Sequence, residues 1–342
     1  MKTELRPLTL GEILDRTAQL YRAHFLLFVG IAVFPRALLL IWQLLDLGIT
    51  RYLESHHHPT TVFTISGTVF GLVLYFAFAG IGVAAINRAV SALYLGETAT
   101  IVGSYNQVKP HWARYIGVMV LAALYAWGPA ALPYAALFGI GIASKNGWTA
   151  GNGHAVAIMA VGGVAGLAML FTIPFGIWMS LRYALAVPAS IFENIAIRAS
   201  LKRSVALTLK GRGRIFVMAL LVGIVFWTIA AAAEAPFLVL IYRAAKNHQQ
   251  PPLLSVIASQ FINFFLYSVI GPVYGIATTL FYYDERIRKE GFDIDFMMQQ
   301  ANLTVPAPPP PPPPPAFDSM PDPLPDLHPD PIPAIDEATG QP

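Results

Sequence analysis

Arg36 and Glu234 are the charges that lie well inside runs of apolar residues, and their types and depths define the first chemical question. Arg36 follows Pro35 about a dozen residues into the apolar stretch 25–47, and Glu234 lies just before Pro236 in the stretch 215–241. A charge at bilayer depth is costly, so it marks a paired or functional position that faces protein or water. On straight helices Arg36 sits about 18 Å and Glu234 about 28 Å from the same membrane edge. Two readings follow. One is an ion pair, structural or part of a transport relay; the other is snorkelling of each side chain to its nearer interface. Gln260 and Asn263 give the stretch 254–281 a polar face suited to hydrogen bonds between helices. A translocation path would need matching faces, and the second and fourth apolar stretches offer only Thr64, Ser66, Thr68, Thr172 and Ser180.

A second group is basic. Arg198, Lys202, Arg203, Lys210, Arg212 and Arg214 crowd one short segment. Each basic residue beside an anionic lipid surface contributes about 1 kcal/mol, so these six are candidate headgroup contacts. They serve either as a general anchor or as a specific lipid site between their helix and the spans. Gly211-Arg212-Gly213-Arg214 lacks Walker-A spacing and reads as a helix break followed by an interfacial anchor. His56, His57, His58, His154 and His248 fall in loops; a metal site there would need a second shell that nothing supplies. With no Cys in the chain, disulfides and thiol chemistry are excluded. No cofactor is called for.

Six apolar stretches, 25–47, 62–86, 115–142, 155–181, 215–241 and 254–281, must position these groups. Each is long enough to cross a bilayer core of about 30 Å. The apolar fraction of 56% against 12% charged residues lies outside the balance of soluble domains. Seventeen of the 22 Lys and Arg fall on one side of the resulting topology and four on the other, Arg36 being the remainder. By the positive-inside rule both termini are cytoplasmic. The clustering beside spans points the basic charge at lipid rather than nucleic acid. The first apolar run begins only near His24, after a polar helical segment, so it reads as a retained span and not a signal peptide.

Three amphipathic segments are expected at the cytoplasmic surface: 9–23, about 97–113 and 190–210. Thr9 with Glu12 predicts a capping box for the first. The chain then parses as three units of interfacial helix, span, outer loop and span, with a period of about 93 residues. Pro35, Pro129 and Pro236 recur in the first span of each unit, and Gly67/Gly71, Gly162/Gly166 and Gly271/Gly275 in the second. Such glycine pairs let helices approach closely, although with 27 Gly in the chain chance recurrence competes with a true threefold repeat. The expected fold is all-α, with a six-helix membrane domain over 1–293. Residues 294–342 are expected to form a disordered cytoplasmic tail, where Pro308 to Pro315 make a polyproline II rod of about 25 Å and acidic residues follow. That tail is either a spacer or a docking segment for a protein partner.

The opening, Leu5-Arg6-Pro7-Leu8-Thr9-Leu10-Gly11-Glu12-Ile13-Leu14-Asp15-Arg16 with Tyr21-Arg22, resembles the start of a bacterial membrane family. Phe281-Tyr282-Tyr283-Asp284 with Arg286 and Arg288-Lys289-Glu290-Gly291-Phe292-Asp293 resembles the end of its last span, and Glu193 with Ala199-Ser200-Leu201-Lys202-Arg203-Ser204 its connector between the fourth and fifth helices. The family is the glycerophosphoryl diester phosphodiesterase membrane domain with its stand-alone relatives, and the resemblance covers 5–293. In the namesake enzymes a separate soluble barrel with a metal and a His-Arg-Gly motif carries catalysis. This sequence contains no His-Arg-Gly, so the resemblance implies a membrane body without that activity. The expected function is a non-enzymatic integral membrane protein of the bacterial inner membrane that contacts lipids or organises a partner. A transporter or lipid-moving protein is the alternative. A membrane-embedded hydrolase is weaker, since no span offers a nucleophile with a base.

Overall fold

The described residues, 6–57, 60–145, 152–247 and 249–300 in a computed structural model, contain eleven α-helices, a 3₁₀ turn and no strand. Six helices are long and apolar enough to cross a membrane: α2 (Phe25–Ser55), α3 (Thr61–Tyr94), α5 (Trp112–Lys145), α6 (Asn152–Tyr183), α9 (Arg212–Lys246) and α10 (Leu253–Glu290). The chain is a multi-pass membrane protein. These helices run 31 to 38 residues, or about 46 to 57 Å at 1.5 Å per residue, well past the apolar stretches themselves. The extra turns are polar and basic. They carry the helices beyond a core of about 30 Å to where the shorter helices pack. α10 stops only at Gly291, whose φ of 64° is the left-handed conformation of a helix C-terminus.

The short helices gather at the end of the bundle that holds the last turns of α3, α6 and α10. α1 (Leu10–Ala23) has the predicted capping box: Thr9 N–H donates to Glu12 Oε2 at 2.7 Å, and Glu12 N–H to Thr9 Oγ1 at 3.3 Å. Two expected segments differ from their prediction. The segment 97–113 is an eight-residue helix, α4 (Ile101–Val108), capped by Thr100 and joined to α5 through the 3₁₀ turn Lys109–His111. The segment 190–210 is two helices, α7 (Ala186–Phe192) and α8 (Ile197–Thr208), with Asn194 at φ 52° between them. Asn tolerates that left-handed conformation better than most residues, and the reversal turns α8 back under α5 and α6. α11 (Phe292–Gln300) occupies the start of the expected tail; residues 301–342, with the proline run, lie outside the described residues.

The spans pair as hairpins, α2 with α3, α5 with α6, and α9 with α10, while α10 also packs on α2 and α3 on α5. α6 and α9 meet only sparsely, so the three units are not equivalent in packing. Nor are the glycine pairs. Gly67 and Gly71 leave room for Asp46 and Trp42, Gly275 for Ile86, and Gly166 and Gly271 face open space. Among the described glycines, Gly80 is the one that lies against another helix's backbone, where a Cβ would stand 3.1 Å from Ile116 Cα. Buried residues such as Leu8, Ile13, Phe28, Tyr115, Leu185, Leu207, Ile215 and Phe281 concentrate at the end with the short helices. The opposite halves expose Leu132, Leu170, Phe171, Trp227 and Leu254, as surfaces bathed in lipid chains do.

Candidate functional site

A cleft of about 320 Å³ opens where α8 crosses beneath α5 and α6. Arg198, Leu201, Lys202 and Val205 form its α8 wall, with the i, i+3, i+4, i+7 spacing that shares one helix face. The end of α6 adds Arg182 and Tyr183, and α5 adds Tyr125. Hydroxyls set this geometry. Ser204 Oγ donates to the Arg182 carbonyl at 2.9 Å and accepts from Leu185 N–H at 3.2 Å, while Thr208 Oγ1 donates to the same carbonyl at 3.4 Å. That carbonyl belongs to the last turn of α6, where helix acceptors lack intrahelical donors. α8 is thereby stitched to the point from which the Arg182 side chain projects.

Three cations line the cleft and no carboxylate does. The Arg182 guanidinium lies over the Trp178 ring at 5.2 Å, and Arg212 reaches the same ring at 5.7 Å from the first turn of α9. Nε of both arginines is buried without a hydrogen-bond acceptor. A buried donor left unsatisfied costs about 1–3 kcal/mol. Arg88 and Arg114 also have an unpartnered Nε, but each donates through another nitrogen, to Ile191 O and Tyr115 Oη. The cleft is distinguished by convergence: positive side chains, unmet donors and two amphipathic tyrosines around one space. Oxyanions suit such a place, because charge-assisted bonds from guanidinium to phosphate are among the stronger ones.

The six predicted headgroup contacts divide. Arg198 and Lys202 line the cleft, Arg212 borders it at Trp178, and Lys210 is exposed on the turn before α9. Arg203 and Arg214 instead turn inward to carboxylates of the chain. Arg203 binds Glu193 at 2.8 Å and Glu290 at 2.5 Å. Burial works against its charge, but bonds to these two carboxylates outweigh it and raise the Arg203 pKa. Arg214 binds Asp284 at 2.8 Å, Glu285 at 3.5 Å and the Leu8 carbonyl at 2.9 Å. Arg182 was missing from the prediction because it closes an apolar stretch, 16 positions before Arg198. The signal that could have found it is Trp178, one turn earlier, an aromatic at the level where membrane interfaces favour them.

The inward pairs build a latch that holds α8 and the cleft in place. Asp284, fully buried, accepts from Leu8 N–H at 2.7 Å, from Arg214 at 2.8 Å and from Arg288 at 3.0 Å. Arg288 also donates to Leu8 O at 2.5 Å. Lys289 binds Glu285 at 3.1 Å and donates to the Leu207 carbonyl at the end of α8. Gly211 has no side chain where one would collide with Glu285. Glu193, besides Arg203, accepts from Tyr282 Oη at 2.8 Å.

Within the spans, Arg36 and Glu234 do not meet. Glu234 accepts from Ser259 Oγ at 2.7 Å and from Asn263 Nδ2 at 2.9 Å. Arg36 stacks over the Tyr267 ring at 4.6 Å and the Tyr75 ring at 5.6 Å. Each charge is thus met by polar or aromatic groups of neighbouring helices, and not by the other charge. Asn263 has the bridging role expected of it; Gln260 faces a separate cleft among α2, α3 and α10. Among the described residues no group of three or more His, Asp or Glu is placed to hold a metal. No family model, curated protein or solved structure matches the chain. Function is therefore read from the site alone.

Proposed function

We propose that this is a non-enzymatic inner-membrane protein that holds the headgroup of an anionic phospholipid in the cleft formed by α5, α6 and α8. The observation that carries the reading is the convergence of Arg182, Arg198 and Lys202 on a cleft lined by no carboxylate, with Nε of Arg182 and Arg212 left without acceptors. Phosphate oxygens accept from these guanidinium groups, and Tyr125 and Tyr183 flank the glycerol region with an apolar face and a polar tip. The positive-inside rule places this end of the bundle in the cytoplasm with both termini, where the membrane surface is negative.

The test is an affinity titration of the purified protein against phosphatidylglycerol and phosphatidylcholine in the same detergent. Neutralising Arg182, Arg198 and Lys202 to Gln removes three contacts of about 1 kcal/mol each, or roughly 150-fold in affinity. Neutralising Arg243 and Lys246 at the other end of α9 should leave binding unchanged. Equal affinities of the triple variant and the native protein would refute the assignment.

A further inference from the structure

The cleft that Gln260 faces lies in the half of the bundle away from the latch, is open on one side, and has a volume of about 370 Å³. α2 contributes Gln43, Asp46 and Thr50, spaced to share one face; α3 contributes Thr64 and Thr68. Thr64 and Thr68 are two of the three hydroxyls at the start of the second apolar stretch, with Ser66. Asp46 falls at the very end of the first apolar stretch. Its Oδ1 is buried and meets no hydrogen-bond donor. Gly67 of α3 faces it, and a Cβ there would collide with that oxygen, so the glycine keeps open the place where the carboxylate sits.

Among the described residues no Lys or Arg pairs with Asp46. Arg51, one turn further out, donates to Gln250 and to the Pro251 carbonyl. Arg36, ten positions deeper and about 15 Å along the helix, lies on Tyr75 and Tyr267. The cleft thus carries a single negative charge ringed by hydroxyl and carboxamide oxygens, with the Trp42 and Tyr75 rings on its wall. Asp46 is half-buried, and a carboxylate partly withdrawn from water is stabilised by a cation that joins it. A metal ion would leave most of this volume empty. A primary ammonium supplies three N–H donors for such oxygens, rings stabilise it further, and a short carbon chain fills the remainder.

We propose that this cleft binds a primary ammonium group with Asp46 as its counter-ion. The ammonium is carried by a small free amine or by the ethanolamine headgroup of a lipid. The site is separate from the anionic-headgroup cleft and does not depend on it.

The experiment is thermal unfolding of the full-length protein in nanodiscs, titrated with ethanolammonium chloride or choline chloride at constant ionic strength. In phosphatidylcholine discs ethanolammonium should raise the unfolding temperature saturably, and choline, which has no N–H on its nitrogen, should not. Asp46→Asn should abolish the response. Gly67→Ala, which keeps the charge but displaces the carboxylate, should weaken half-saturation at least about tenfold. In phosphatidylethanolamine discs, a raised unfolding temperature with no further response assigns the site to the lipid headgroup. A response equal to that in phosphatidylcholine assigns it to the free amine. No response to ethanolammonium in phosphatidylcholine discs, equal responses to the two amines, or equal responses of the native protein and Asp46→Asn would each overturn the proposal.

Discussion

Replacing Asp284 by Asn tests whether the ion network at the end of α10 holds the bundle's short helices in place. The native carboxylate is fully buried and receives Leu8 N–H, Arg214 and Arg288 within 3.0 Å. Asn keeps the shape but replaces one accepting oxygen by an NH2 donor that faces other donors, and it leaves two guanidinium groups without their counter-charge. Arg214 would fall back on Glu285, now 3.5 Å away, and on the Leu8 carbonyl. Breaking a buried pair from one side costs about 3–5 kcal/mol. The Arg214 and Arg288 side chains keep 29% and 38% exposure, so water recovers part of that and the lower figure, about 3 kcal/mol, applies. This is roughly a 150-fold change in the unfolding constant. Unfolding in mixed micelles of increasing dodecyl sulfate content, followed by tryptophan fluorescence, measures it. Combined with Arg288→Gln, the cycle should return a coupling of about 0.5–3 kcal/mol. A loss below about 1 kcal/mol with no coupling would mean the network behaves as a solvated surface feature and would refute the latch.

Gly80→Leu should cost about 1–3 kcal/mol by forcing α3 from α5 where Gly80 lies against the α5 backbone, whereas Gly166→Ala, which faces open space, should be neutral; equal effects would deny a special contact at Gly80. The Glu12 carboxyl is held at about 2, from an ordinary 4.5, chiefly by the Thr9 backbone N–H and by Arg6. A depressed carboxyl stabilises above its ordinary value and loses that contribution as pH falls through the native one. Amide protection in the first turn of α1 should therefore drop between about pH 4.5 and 2, and Glu12→Gln should remove the pH dependence; a native profile indifferent to acid would contradict it. Because the chain has no Cys, single cysteines at Ser55 and Asn247 should label with an impermeant maleimide from the periplasmic side, and one at Thr100 should not. Labelling at Thr100 from that side would overturn the topology.

The six spans and the capping box at Thr9 were legible because they depend on local pattern: apolar length and a Thr–Glu spacing of three. The site was legible only in part. Whether a basic residue of the segment 198–214 faces lipid or the protein depends on which carboxylates arrive from elsewhere. Glu193 and Glu290 take Arg203, and Asp284 and Glu285 take Arg214. Those partners lie up to 87 residues away (from Arg203 to Glu290), beyond the reach of any periodicity. Asp46 was missed for a related reason. Its Oδ1 sits against Gly67 of the next span, and one helix alone cannot show which residue of the next will face its last polar turn. The break at Asn194 was likewise hidden, because a positive φ at Asn is allowed but not required by the local sequence.

The most direct measurement of the central claim is native mass spectrometry of the protein extracted gently from its own membrane. The account predicts one retained anionic phospholipid per chain, lost when Arg182, Arg198 and Lys202 are changed to Gln and kept when Arg243 and Lys246 are changed. A chain that emerges bare, or one whose retained lipid is indifferent to the three substitutions, would contradict it.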